Sequence, residues 1–213
     1  MKLTMSFSEY IQSLHEILRR TIVSCDGQVA AIEDCFIEYI GKIFQATERG
    51  NRIFFIGNGG SAGICTHSAN DYAKNGGFRS MALHDGAVLT CLGNDFGFEY
   101  IFAKQLEFQA TRGDVLVAIS SSGRSADILN AVEQAKGMGM YVCTFSGFLS
   151  TNPLRTMGDM NWYIESNEYG FVELAHQVLI HSALDRRDLL VESWLNQKNK
   201  TNEHPVRCWE PES

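Results

Sequence analysis

Two apolar runs in this chain each break into a turn of small residues and then into a helical stretch. That repeated punctuation restricts the fold more than any other feature. The first run, Arg52-Ile53-Phe54-Phe55-Ile56, leads into Gly57-Asn58-Gly59-Gly60-Ser61-Ala62; the second, Asp114-Val115-Leu116-Val117-Ala118-Ile119, leads into Ser120-Ser121-Ser122-Gly123-Arg124-Ser125. A strand, a small-residue turn and a helix start together form an anion site, because free backbone N–H groups and the positive helix end face the ligand and serine hydroxyls add donors. Two such turns at the carboxyl ends of strands read as the two sides of a site for one phosphorylated small molecule.

Other readings of these turns weigh less. A glycine-rich turn after a strand is often only a tight connection. The first loop also fits G-x-G-x-x-A, the dinucleotide fingerprint, for which Asp85 after Ser80-Met81-Ala82-Leu83-His84 is a loose acidic partner. A dinucleotide site needs one phosphate turn, however, and leaves Ser120, Ser121, Ser122 and Ser125 without a purpose. Neither loop carries the Gly-Lys-Ser/Thr of a P-loop. A sugar phosphate is the favoured ligand.

The 213 residues suffice for one sizeable α/β domain, and 45% hydrophobic residues support a full core. A net charge of −7, from 18 basic and 25 acidic residues, argues against a nucleic-acid partner, since Arg19-Arg20 and Arg186-Arg187 are isolated pairs. No stretch approaches the ~20 apolar residues that span a membrane, and the N-terminus lacks the apolar core of a signal peptide. The six cysteines (25, 35, 65, 91, 143 and 208) form no C-x-x-C pair; Cys91 and Cys143 read as buried thiols, which places the chain in a reducing cytoplasm. Cys65 lies where a helix dipole would lower its pKa, although a small structural residue is the plainer reading.

Along the chain, residues 6–50 read as helical throughout. Tyr10, Ile11, Leu14, Ile17, Leu18 and Ile22 share one face, and Ile32, Phe36, Ile37, Ile40, Ile43 and Phe44 share another. From Arg52 the pattern alternates: strands near 52–57, 80–83, 114–120, 141–146 and 161–166; helices near 60–74, 97–112, 125–139 and 168–197. This alternation predicts an α/β three-layer sandwich around a mostly parallel five-stranded sheet, in a single domain with N-terminal helices 6–50, a core 52–197 and a flexible tail 198–213.

His67 and Asp71 lie four residues apart, on one face of the helix after the first loop, and the last helix carries Glu173, His176 and His181. Imidazole and carboxylate at i, i+4 are normal zinc ligands, while a core histidine beside an ordinary helical aspartate is the plainer alternative. Glu173 and His176 form one Glu-x-x-His unit where di-metal bundles need two. Residues 173 and 181, if both helical, are about 12 Å apart in rise, too far to grip one ion unless the helix begins after Glu173 or a second subunit contributes.

In chain order, Gly57-Asn58-Gly59-Gly60-Ser61-Ala62, His67-x-x-x-Asp71, Asn94-Asp95-Phe96-Gly97-x-Glu99-Tyr100, Asp114-Val115-Leu116 and the Ser120–Ser125 loop resemble the sugar isomerase (SIS) domain, and within it the phosphoheptose isomerases, over about residues 30–190. The resemblance implies an enzyme that interconverts a ketose phosphate and an aldose phosphate, sedoheptulose 7-phosphate and heptose 7-phosphate foremost, for heptose biosynthesis. It implies phosphate contacts from Ser61, Ser120, Ser121 and Ser125, with Gly59 and Ser122 in the same loops, and sugar contacts from Asn58, Asp95 and Glu173. It further implies one zinc or other divalent ion per subunit on His67, Asp71, Glu173 and His181, Asp71 and His181 as the acid/base pair, and a homotetramer. Asp71 and Glu173 stand where the family has Glu and Gln, each exchanging one oxygen ligand for another. Non-catalytic relatives that bind phosphosugars or protein partners are the competing expectation, distinguished by erosion of the His/carboxylate set.

Overall fold

The computed structural model describes residues 4–200. Helix α1 (Phe7–Arg19) opens with a capping box: the Glu9 amide donates to Ser6 Oγ, and the Ser6 amide donates to Glu9 Oε2 at 2.7 Å. The bonds from Ser6 hold the Glu9 carboxyl below its ordinary range. The expected continuous helical region is interrupted by a hairpin, β1 (Ile22–Cys25) and β2 (Gln28–Ala30). Its two-residue turn, Asp26-Gly27, has φ +49° and +77°. That is the mirror-image turn that Asp-Gly favours and that matches the strands' twist.

Helix α2 (Ile32–Glu48) follows, then β3 (Ile53–Gly57), α3 (Gly60–Lys74), β4 (Ser80–Ala82), α4 (Gly86–Phe96) and α5 (Ile101–Gln109). The chain continues through β5 (Val115–Ser120), α6 (Ala126–Gly137), β6 (Tyr141–Ser146), β7 (Met160–Tyr163), α7 (Tyr169–Asp185) and α8 (Arg187–Lys200). The helix expected near 97–112 is α5 preceded by a 3-10 turn at Phe98–Tyr100, and α4 lies ahead of it. The long last helix is two, divided at Arg186. Residues 198–200, expected in a tail, belong to α8; 201–213 lie outside the described residues.

The sheet has seven strands, in the order β2-β1-β7-β6-β5-β3-β4, rather than five. β4, β3, β5, β6 and β7 pair in parallel, and the hairpin adds two antiparallel strands beyond β7. β3 and β5 are buried at every position, as expected of strands covered on both faces. Alternate residues feed two cores. Ile53, Phe55, Val115, Val117 and Phe145 face α2, α3 and α7, whereas Phe54, Ile56, Leu116, Ala118 and Val142 face α4, α5 and α6. Trp194 of α8 lies on Gly41 of α2, where an added Cβ would fall 2.1 Å from its Cδ1.

Cys143 is fully buried, but Cys91 is exposed, because α4 turns that side outward. Cys65 is also buried, and desolvation pushes its thiol pKa well up rather than down. Among the described residues, no helix is long and apolar enough to cross a membrane.

Candidate functional site

Parallel pairing of β3 with β5, with Gly57 opposite Ile119, delivers both small-residue loops side by side at the carboxyl edge of the sheet. Gly57 is obligatory there: a Cβ would sit 2.9 Å from the carbonyl carbon and Cβ of Ser61, so α3 starts directly on the strand end. Gly59 follows at φ +54° and admits the turn. Ser61, in the first turn of α3, is 3% exposed.

The second loop is held by its own hydroxyls. The Gly123 amide donates to Ser120 Oγ at 3.2 Å, Ser120 Oγ lies 3.3 Å from Ser125 Oγ, and the Arg124 amide donates to Ser122 Oγ. Gly123, at φ +62°, passes so close to Asn152 that a Cβ would meet its Oδ1 at 2.0 Å. Asn152 in turn donates to the carbonyls of Gly147 and Leu149. Ser121 is 5% exposed, and its Oγ has no partner. A buried hydroxyl without a partner costs about 1–3 kcal/mol. A ligand oxygen arriving in this loop would remove that cost.

Neither α3 nor α6 has a side-chain cap, although Ser125 occupies the N-cap position of α6. Two helix starts therefore face one edge of the sheet, that of α6 with the Asp127 carboxylate hydrogen-bonded to the amides of Asp127 and Ile128. Asn58 Nδ2 donates to both carboxylate oxygens of Asp127, at 3.0 and 2.8 Å. His84 Nε2 lies 2.9 Å from the Gly57 carbonyl and Nδ1 lies 3.3 Å from Thr66 Oγ1. Since a carbonyl only accepts, Nε2 carries the hydrogen, and burial lowers the ring's pKa. Asp127, His84 and Asn152 were missed in the sequence. Asp127 had a legible signal, a carboxylate two residues past the serine run; His84 and Asn152 act through contacts distant in sequence.

A second group forms farther along α3. His67 Nε2 lies 3.2 Å and His181 Nδ1 3.9 Å from Asp71 Oδ2, and the two imidazole centroids are 5.2 Å apart. One ligand atom from each residue lies within 4.8 Å of the others. A cavity of about 370 Å³ adjoins them, lined also by Asn75, Asp185, Arg187 and Asp188. Glu173 lies elsewhere: α7 is helical from Tyr169, and the Glu173 carboxylate rests on Gly60, where a Cβ would meet its oxygens at 2.4 Å. His176 is a fully buried core residue whose Nε2 donates to the Ser146 carbonyl, and desolvation pushes its pKa down to about 4. Asp95 is exposed on α4, and its hydrogen bonds run locally to Asn94 and Cys91.

Residues 9–147 match the family model described as the SIS domain. The phosphoheptose isomerase of Helicobacter hepaticus is 33% identical over 166 residues, which is 75% of this chain and 82% of that protein. The solved phosphoheptose isomerase of Francisella tularensis superposes with a TM-score of 0.75 at 26% identity, covering 89% of this chain and all of that one. That of Neisseria gonorrhoeae gives 0.73 at 28%, covering 85% and 95%.

Proposed function

The chain belongs to the SIS domain family, and from that premise we propose that it interconverts a ketose phosphate and an aldose phosphate, sedoheptulose 7-phosphate and heptose 7-phosphate or a close relative, in the cytoplasm. One observation carries the reading: α3 and α6, neither with a bonded N-cap side chain, begin after neighbouring parallel strands, and the second loop holds the buried, unpartnered hydroxyl of Ser121. This is a site that a phosphate dianion completes. The named relatives act on a sugar of that class.

The reaction removes a proton alpha to a carbonyl and returns it to the neighbouring carbon. Ser61, Ser120, Ser121, Ser122 and Ser125, with the amides at the start of α3, hold the phosphate and so fix the distance from it to the reacting carbons. Asp71 and His181 move the proton, with His67 beside them. The three ligand atoms, all within 4.8 Å of one another, stand near the spacing a metal imposes: ligands about 2.0–2.2 Å from zinc are separated by roughly 3.3–3.5 Å, against 3.2 and 3.9 Å from Asp71 to the two histidines. Zinc held by His67, Asp71 and His181 would supply Lewis acidity toward the substrate carbonyl.

The two parts of the site do not meet within one chain. Gly60 and Asp71 are eleven residues apart on α3, about 16 Å of rise, and Glu173 is about 12 Å from His181 along α7. The site we propose is therefore shared between copies of a homo-oligomer, a tetramer by likeness to the family. Glu173 and the phosphate loops of one copy then approach the histidines of another. Exposed Leu174 and Val178 on α7, between Glu173 and His181, supply an apolar surface for that contact.

The test is turnover of a panel of C5 to C8 ketose phosphates, with metal analysis of untagged protein. His181→Ala should abolish isomerisation while inorganic phosphate still binds. Absence of turnover by metal-loaded wild type, with phosphosugar binding intact, would replace the enzyme with a non-catalytic phosphosugar-binding protein.

A further inference from the structure

The two phosphate loops come from different strands, and each alone is a short turn hinged on glycine. Among the described residues, the side-chain hydrogen bonds that join 57–62 to 120–127 are those of Asn58 Nδ2 to Asp127 Oδ1 and Oδ2. Asp127 is 3% exposed, in the first turn of α6, two residues after Ser125. A carboxylate there is favoured by the helix dipole, and the amides of its own turn are enough to satisfy it. Taking the Asn58 amide from 69 residues away serves a different end: it ties the start of α6 to the turn before α3. Burial raises the Asp127 pKa, and the bond from Asn58, with the backbone bonds of Ile128 and Asp127, offsets part of that rise.

We propose that the Asn58–Asp127 pair is a latch that locks the two loops into one cradle, which makes Asp127 a positioning residue for the phosphate end of the substrate. The proposal rests on the phosphosugar reading for its ligand and on the hydrogen bonds for its mechanics. Without the latch, each loop still offers its amides and hydroxyls, but the two sets no longer hold a fixed separation. The loss then falls on binding of the phosphate rather than on proton transfer.

Hydrogen exchange and calorimetry with inorganic phosphate test it on the full chain. D127A should speed amide exchange in residues 57–62, a loop it does not belong to, by tenfold or more. It should weaken phosphate binding by a similar factor, and with substrate the change should appear in KM rather than kcat. D127N keeps one bond from Asn58 and should fall between wild type and D127A; it serves also if D127A does not fold. The exchanged pair N58D/D127N rebuilds an amide–carboxylate contact and should recover slow exchange in 57–62. Unchanged exchange in 57–62 in D127A, or a swapped pair as loose as D127A, overturns the latch. Wild type that binds no phosphate, while D127A still loosens 57–62, would count against the phosphosugar reading and leave the mechanical coupling standing.

Discussion

Ser121 carries the most information per atom, because its hydroxyl is buried and unpartnered in a loop where every neighbouring serine has a partner. Ser121→Ala with Ser125→Ala should cost about 3–6 kcal/mol of phosphosugar affinity, since hydrogen bonds to charged groups are worth roughly 1.5–3 each; calorimetry reads this directly. Asp71 sits 3.2 Å from His67; Asp71→Asn keeps the shape and removes one member of the proposed acid/base pair, and should lose turnover, while Asp71→Glu should retain activity or shift substrate preference. His176 reports on folding instead. Its pKa is pushed to about 4 by complete burial, so the unfolded chain, with an ordinary histidine, binds more protons between there and about pH 6.5. Stability is therefore full above that window and falls by up to about 3 kcal/mol as pH drops through it; His176→Gln should flatten that slope in denaturant titrations. The serines and the His67/Asp71 spacing were legible because chemistry and local order coincide. His84 and Asn152 were not, because each acts on a residue far along the chain, and Asp127, whose place just past the serine run was a signal, meets Asn58 only across 69 positions.

At the scale of elements, the five parallel strands were visible as apolar runs between turn residues, and both loops stand where the punctuation put them. The hairpin was hidden because strands of four and three residues are too short to impose a period of two over the helical stripes on either side. Asp26-Gly27 was the available signal. The division of the last helix at Arg186 was hidden as well: no glycine or proline marks it, and α8 owes its direction to packing of Trp194 on Gly41. Gly41→Ala places a methyl group inside that indole. It should cost roughly 1–3 kcal/mol by overpacking, with a lower Tm and a red-shifted tryptophan emission as α8 lifts from α2.

At the scale of the molecule, the apolar residues exposed on α1 and α7, Phe7 and Ile11 on one and Leu174 and Val178 on the other, bear on assembly. Light scattering at micromolar concentration should give a closed oligomer, and Leu174→Glu with Val178→Glu should yield 23.8 kDa monomers without turnover. Monomeric wild type that is fully active would rule out shared sites. The hairpin has another effect. β7 is buried at all four positions and pairs with β6 on one side and β1 on the other, so β1 occupies what would otherwise be a bare apolar margin. The margin then passes to β2, three residues long and exposed throughout, too short to template a foreign strand. The hairpin is thus an insulator: loss of the residues before α2 would leave the backbone groups of β7 unpaired on that side, open to a strand from another molecule.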